Sequence, residues 1–332
     1  MPGKKREQLI KKIFNGFPER EFEELVLEMF SYQSLHNKVY KNYLEYLGAG
    51  RLAVSTIADI PFMPVSLFKT HRVITGEGGR GPAFRSSGTV TGERSCHYVS
   101  DAGIYETSFL KCFEMFYGNP ADYSILALLP SYVESGDSSL VYMVGSLIER
   151  SGHPESGFYL DDAGRLADMI NKLENSNRKT LLIGVSFALL DLVDKYSFAL
   201  KNTIVMETGG MKGRRREITR EELHGILKSK TGLGNIHSEY GMTELLSQAY
   251  SQSDGIFTSP PWMRILIRDA YDPFAWLPPG RSGGVNIIDL ANIDSCAFIE
   301  TSDIGRMMDG GEFEILGRFD NSDIRGCNLL AD

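Results

Sequence analysis

Thr180-Leu181-Leu182-Ile183-Gly184-Val185 is a run of six residues without a charge, and the segment from Phe187 to Tyr196 behind it has helical apolar spacing. A run this short and this apolar suits a strand covered on both faces, as in parallel sheets. Two others have the same form. Ser124-Ile125-Leu126-Ala127-Leu128-Leu129 is ended by Pro130, and Thr203-Ile204-Val205-Met206 leads into Glu207-Thr208-Gly209-Gly210. Leu140 to Glu149 and Ala163 to Leu173 suit helices, and Thr219 with Glu222 forms a capping box that opens a helix to about Lys228. This alternation indicates an α/β fold with largely parallel strands and flanking helices.

Outward from this centre the pattern changes on both sides. Residues from Lys4 to Tyr46 read as helical, with Pro18 separating the first two pieces. Ile60-Pro61-Phe62-Met63-Pro64-Val65 is extended, because each proline restricts the residue before it. A glycine-rich turn (Gly76, Gly78, Gly79, Gly81) follows, and a helix from Asp101 to Tyr117 is capped by Asp101 or Ser100. After about Pro260, strand candidates at Met263 to Ile267, Gly284 to Ile288, Ala297 to Ile299 and Phe313 to Ile315 lie between Gly, Pro and Asp turns. They read as a smaller antiparallel sheet or barrel. The expected division is a helical region at 1–58, a core at 59–317 and a hinge-like tail at 318–332.

Composition excludes several classes. Of 332 residues 42% are apolar and 23% charged, enough for a substantial core. A net charge of −8 argues against a nucleic-acid partner, and the compact basic run Arg214-Arg215-Arg216 reads as a solvated turn. Cys96, Cys112, Cys296 and Cys327 lack the spacing of a zinc site or a disulfide framework. The basic start has no apolar core of a signal peptide and no run reaches the length of a membrane span, so a cytoplasmic location is expected. Ser131 and Ser186 lack a Gly-x-Ser-x-Gly setting, which gives a serine hydrolase no support.

Chemistry is carried by five stretches in one order. Arg85-Ser86-Ser87-Gly88-Thr89-Val90-Thr91-Gly92-Glu93-Arg94-Ser95 is rich in small hydroxyl residues and glycine, which let backbone N–H groups and hydroxyls converge on a polyphosphate. It lacks the Gly-Lys-Ser/Thr ending of a Walker A loop. Thr208-Gly209-Gly210 follows a buried strand. Then come Glu239-Tyr240-Gly241-Met242-Thr243-Glu244, Thr301-Ser302-Asp303-Ile304-Gly305, and Gly317-Arg318-Phe319-Asp320 with the residues to Gly326. Singly each has a plainer reading: a connecting turn, a capped turn at Asp303, a surface ion pair at Arg318.

In this order the five resemble the core motifs of the adenylate-forming superfamily of acyl-CoA synthetases, luciferase-type ligases and peptide-synthetase adenylation domains. Pro61-Phe62-Met63-Pro64-Val65-Ser66-Leu67-Phe68-Lys69, Leu129-Pro130-Ser131-Tyr132, Ser138-Ser139-Leu140-Val141-Tyr142-Met143 and Arg325-Gly326-Cys327-Asn328-Leu329 narrow the resemblance to LuxE-type acyl-protein synthetases. That resemblance implies the N-terminal domain of an adenylate-forming enzyme, a ligase dependent on ATP and Mg²⁺. Ser86, Ser87, Gly88, Thr89, Thr91 and Gly92 would clamp the β- and γ-phosphates, with Glu93-Arg94 where many relatives carry Lys. Gly209 and Gly210 would admit the adenine face. In the motif Glu239-Tyr240-Gly241-Met242, which would bind nucleotide, Tyr240 would stack on adenine. Thr243 would bond the α-phosphate, Glu244 would hold Mg²⁺, Asp303 would accept from the ribose hydroxyls, and Arg318 would reach ribose or phosphate.

His237 faces the acyl pocket in one reading and is structural in the other. Relatives continue past the Arg-Gly hinge into a small domain whose lysine polarises the attacked carboxylate. The present sequence stops at Asp332, so that lysine is expected to be absent: dispensable, replaced from a partner or another lysine, or missed at the expense of rate. The LuxE-type resemblance also implies transfer of the acyl group from acyl-AMP to Cys327 and on to a partner acyl-CoA or fatty-acid reductase, with Arg325 able to favour the thiolate. The substrate implied is a long-chain fatty acid or another carboxylic acid. Two alternatives stay open: a phenylacetate-CoA ligase-like enzyme that uses CoA and a separate C-terminal domain, and an idle nucleotide- or acyl-binding subunit.

Overall fold

The three apolar runs at the centre of the sequence are buried along almost their whole length, which requires helices on both faces of their sheet. The computed structural model describes residues 2–48, 54–87, 94–129, 136–160, 162–209, 215–216 and 218–319. Helices α1 (Pro2–Asn15), α2 (Phe22–His36) and α3 (Lys38–Tyr46) come first. Strand β1 (Met63–Pro64) and short helix α4 (Leu67–Thr70) lead to β2 (Ala83–Arg85), β3 (Cys96–Tyr98) and helix α5 (Ala102–Tyr117). The α/β centre is β4 (Ser124–Leu128), α6 (Ser139–Ser151), β5 (Gly157–Phe158), α7 (Ala163–Asn175), β6 (Thr180–Val185), α8 (Ser186–Lys195), β7 (Thr203–Thr208), α9 (Arg220–Thr231) and β8 (His237–Tyr240). Strands β9 (Ala249–Ser251), β10 (Ile256–Phe257), β11 (Met263–Arg268), β12 (Ser282–Asp289), β13 (Phe298–Met307) and β14 (Phe313–Arg318) complete the described chain.

One sheet has the order β5-β4-β6-β7-β8-β9, parallel through β8 and closed by antiparallel β9. The other runs β10-β14-β13-β12-β11 antiparallel, with β1 added parallel to β13. Helix starts follow the expected capping: Asp101 accepts from the Gly103 N–H and Thr219 from the Glu222 N–H. The strand expected at Ala297 to Ile299 instead runs through Met307, carrying the Thr301–Gly305 motif inside it. Ser86, Ser87, Arg94 and Ser95, the described ends of the first motif, follow β2 and precede β3 of an antiparallel pair, and 88–93 lie outside the described residues. Arg215 does not stand free in solvent but pairs with Asp191 and Asp194 on α8. No helix among the described residues is long and apolar enough to cross a membrane.

The N-terminal helices share the central hydrophobic core, and one side chain fastens them to it. Gln33 is fully buried. Its Nε2 donates to the carbonyls of Asn292 (2.9 Å) and Ile293 (3.1 Å), and its Oε1 accepts from the Ala297 N–H (2.9 Å). Asn37 Nδ2 adds a bond of 2.8 Å to the Ser295 carbonyl, and Arg6 pairs with Asp294 at 2.6 Å. Replacing Gln33 by Met keeps the volume and strands these backbone groups. Gln33→Met is therefore expected to lower stability by about 2–4 kcal/mol in urea unfolding, through loss of buried hydrogen bonds.

Candidate active site

The last residues of β8 and β14 meet at one carboxylate in the middle of β13. Asp303 Oδ2 accepts from the Tyr240 hydroxyl at 2.7 Å, and Oδ1 accepts from Arg318 Nε at 2.8 Å. Asp303 and Arg318 are direct cross-strand partners, the pairing in which opposite charges stabilise a sheet. Between Gly284↔Ile304 and Asn286↔Glu300 the register of β12 and β13 shifts. One residue of β12, Val285, therefore stands opposite Thr301, Ser302 and Asp303, and this bulge re-aims the motif. Buried Arg268 holds it, donating to the carbonyls of Val285 (2.9 Å) and Thr301 (2.8 Å) and to Asn286 Oδ1 (2.7 Å). The Thr301 hydroxyl donates to the Val285 carbonyl at 2.8 Å and accepts from the Asp303 N–H at 3.0 Å. Loss of water on burial pulls the Arg268 guanidinium below its usual pKa, partly offset by Glu300 and Asp303.

Strand β8 supplies two different faces. Tyr240 packs edge-on between Phe257 and Phe313, both with centroids at 5.9 Å, while Ser238 lies 3.2 Å from His224 Nε2 on α9. On the opposite face Glu239 accepts a hydrogen bond from the Thr208 hydroxyl, and His237 Nδ1 lies 3.1 Å from the Tyr117 hydroxyl on α5. Burial pulls the His237 imidazole down to about 4, so it is neutral at pH 7. Burial also pushes Glu239 up to about 7; the Thr208 bond opposes this and neighbouring Glu207 adds to it. Gly241 leaves room for the neighbouring carboxylate: a Cβ there would lie 2.5 Å from Glu239 Oε1 and would push that side chain aside.

The following turn brings Thr243 and Glu244 beside the neck of the β2–β3 hairpin. His97 Nδ1 donates to the Thr243 carbonyl at 2.9 Å. Burial pulls His97 down to about 4, consistent with one protonated ring nitrogen. Glu244 is buried and pushed above the usual carboxylate range by that burial, with the Ser95 hydroxyl and Arg318 opposing the rise. The neck is tied by Ser86 N–H to the Ser95 carbonyl (3.0 Å), Ser95 N–H to Ser86 Oγ (3.0 Å), and Arg94 Nε to the Ser86 carbonyl. Arg94 also pairs with Asp137 at 3.3 Å.

The structure thus brings together Ser86, Glu244, Tyr240, Asp303 and Arg318, with Ser87 on the hairpin and Gly209 just past β7. Met242 and Thr243 lie half-buried between Gly241 and Glu244. Gly88, Thr89, Thr91, Gly92, Gly210 and Cys327 lie outside the described residues. A second buried cluster, which no motif marks, supports Gly209 (φ +68°). Ser186 Oγ donates to the Gly209 carbonyl at 2.7 Å, and Arg220 Nε donates to Glu207 at 3.0 Å. Burial raises Glu207, but His224, Arg220 and Ser238 outweigh it and hold its carboxyl below the usual range. Ser95 closes the first motif, but no signal in the sequence marks Glu207, His97, Arg220 or Arg268 for the site, because their partners are set by the fold. Among the described residues no three His, Cys, Asp or Glu side chains group to hold a metal.

No family model matches the sequence, and no curated protein matches it either. Solved structures do resemble it. ATP-bound MatB from Rhodopseudomonas palustris superposes with a TM-score of 0.55 and 16% identity, over 71% of this chain and 47% of its own. The O-succinylbenzoate coenzyme A synthetase MenE from Bacillus subtilis, in complex with ATP and magnesium ion, gives 0.52 and 18%, over 74% and 51%. The fold is that of the N-terminal domain of adenylate-forming enzymes. A luciferase-like enzyme from the nonluminescent mealworm Zophobas morio gives 0.50 and 16%, over 72% of this chain and 57% of that one. The chain spans about half the length of the first two. At such identities the likeness is one of fold.

The raised Glu239 pKa carries a stability consequence. Above about pH 4.5 the unfolded chain has released this proton while the fold still binds it, so stability declines as pH rises toward 7. Glu239→Gln keeps an acceptor for Thr208 and removes the titration. The variant is expected to gain on the parent across this window, by on the order of 3 kcal/mol at most, and to hold a constant lead above it; urea unfolding at several pH values checks this.

Proposed function

We propose that this protein is an ATP- and Mg²⁺-dependent adenylating ligase of the LuxE acyl-protein synthetase type. It activates a long-chain fatty acid or similar carboxylic acid and delivers the acyl group through Cys327 to a partner acyl reductase. The observation that carries the adenylating step is the Asp303 carboxylate, fixed by Tyr240 and Arg318 beside Glu244 and the hairpin neck. Each Asp303 oxygen accepts one protein donor and keeps capacity for another, which suits the paired hydroxyls of a ribose. The fold and the five ordered motifs support the same reading.

In the first step a carboxylate oxygen of the acid attacks the α-phosphorus of ATP, the bond to the β-phosphate oxygen breaks, and pyrophosphate leaves. Thr243 would bond the α-phosphate, and the Ser86–Ser95 hairpin loop would receive the departing phosphates, with Arg94 at its neck. Gly209 would let backbone approach the base, and Glu239, Tyr240, Gly241 and Met242 would line the nucleotide side. Magnesium, when bound, neutralises phosphate charge. Glu244 fits it: a buried carboxylate pushed up by loss of water is compensated by a dication. The other ligands would be phosphate and water oxygens, since magnesium keeps such ligands rather than an all-protein cage. In the second step the Cys327 thiolate attacks the acyl carbonyl, AMP leaves, and a thioester forms that the partner's thiol can take over. His237, neutral and tied to Tyr117, would bound the acyl side as an uncharged wall.

Acid-dependent ATP–pyrophosphate exchange, run over a series of chain lengths, tests the reading; no exchange with any acid ends it. Asp303→Asn is expected to lower kcat/KM for ATP by about 10- to 100-fold, the worth of one charge-assisted hydrogen bond. Cys327→Ala should keep the exchange and lose a hydroxylamine-labile acyl label on the protein. A label that survives moves the acceptor elsewhere, and release of acyl-CoA on adding CoA would favour the coenzyme A alternative.

A further inference from the structure

Just behind the Thr243–Glu244 pair, the chain is gripped by a buried carboxylate that no motif includes. Asp289, the last residue of β12, has no exposed surface. Its Oδ2 accepts from the backbone N–H groups of Leu246 (2.9 Å) and Ser247 (3.0 Å). Its Oδ1 accepts from the Ser247 hydroxyl (2.6 Å) and the Ala291 N–H (3.1 Å). Four donors on one carboxylate make a fixed anchor. Two more fastenings lie on either side: Asn292 Nδ2 donates to the Glu244 carbonyl at 2.8 Å, and His97 to the Thr243 carbonyl. The Ser247 hydroxyl lies 3.1 Å from that of Ser108 on α5, and Trp262 Nε1 donates to Ser247 Oγ at 3.0 Å and reaches Ser108 Oγ at 3.2 Å. Finally, Cys112 Sγ donates to the Gln248 carbonyl at 3.2 Å.

Every residue from Thr243 to Gln248 except Leu245 is thus held by a polar bond to another element. A turn buried among apolar side chains could be held by packing alone, whereas burying an anion is expensive without such compensation. The bonds of Asp289 go to backbone N–H groups two and three residues beyond Glu244, where they fix the path of the chain. We infer that Asp289 is a positioning residue: it locks the Thr243–Glu244 turn to the antiparallel sheet so that the Glu244 carboxylate keeps one orientation toward the bound metal and nucleotide. This rests on the adenylation reading of Glu244.

The test uses the full chain and two variants. In Asp289→Asn the amide nitrogen faces the N–H donors of Leu246 and Ser247 in one orientation and that of Ala291 in the other, so part of the anchor is lost without loss of volume. Ser247→Ala removes a single bond and serves where the first variant folds poorly. Amide hydrogen exchange over Met242 to Gln248 is read alongside the Mg²⁺ dependence of ATP–pyrophosphate exchange. For Asp289→Asn either the Leu246 and Ser247 amides or the Ala291 amide, read in the same experiment, should exchange at least about tenfold faster. The Mg²⁺ concentration for half-maximal rate should rise several-fold while KM for the acid stays unchanged, and Ser247→Ala should do both to a smaller degree. Faster amides with unaltered Mg²⁺ dependence in an active enzyme overturn the inference, as does exchange rising equally across both sheets in both variants. A parent protein without any pyrophosphate exchange is a different failure: it removes the adenylation reading, and the positioning role toward the metal falls with it.

Discussion

The Asp303 carboxylate in the middle of β13, shared between the Tyr240 hydroxyl at the end of β8 and the Arg318 guanidinium at the end of β14, joins three strands from two sheets. A buried carboxylate with a single neutral donor would be expensive; with a cross-strand arginine it becomes a stable joint. The joint exists only because β13 bulges at Thr301–Asp303, and the bulge stands on Arg268, whose guanidinium bonds two backbone carbonyls and Asn286 inside the sheet. An arginine used this way has no surface role. It supplies the donors that an irregular strand would otherwise leave unmet.

Three glutamates at the ends of the parallel strands show how one site keeps like charges close together. Glu207 is held ionised by His224 and Arg220, Glu239 is pushed up to about 7 by burial, and Glu244 is raised with Ser95 and Arg318 in opposition. Were all three fully ionised without partners, an anionic ligand would meet a repulsive mouth. Their environments separate them instead: one is neutralised by a fixed cation, one by a proton near neutrality, and one is raised by burial against Ser95 and Arg318.

What could be read from the sequence follows from the range of the interactions. The buried strands β4, β6 and β7 were legible because a two-faced burial leaves a continuous apolar run, and the helix starts at Asp101 and Thr219 because a cap acts within three residues. Strands of two to four residues, such as β2, β3, β5 and β8, carry no period. In His237-Ser238-Glu239-Tyr240 every side chain is polar or amphipathic, and each finds its partner on a different element. Asp303 and Arg318 stood out through the order of motifs, not through any local signal. Gln33 and Asp289 had no signal at all: a buried polar side chain looks like a surface one until its partners, more than 250 residues away for Gln33, are known.

Arg220 shows why the site is better described as one rigid mouth than as a set of motifs. From the first turn of α9 it reaches Glu207 at the end of β7, donates to the Ile315 carbonyl of β14 at 2.8 Å, and lies over the Phe257 ring at 5.0 Å. Glu207 in turn shares Ser186 with the Gly209 carbonyl. The chain turn after β7 and the strand that ends in Arg318 are therefore fixed to the same guanidinium. A cation that bonds both sheets sets their spacing more firmly than apolar contact could, because its donors have a fixed geometry. Under the proposed adenylation reading such spacing is what the site needs, since an error of an ångström between the residues of two sheets is felt at the reacting atoms.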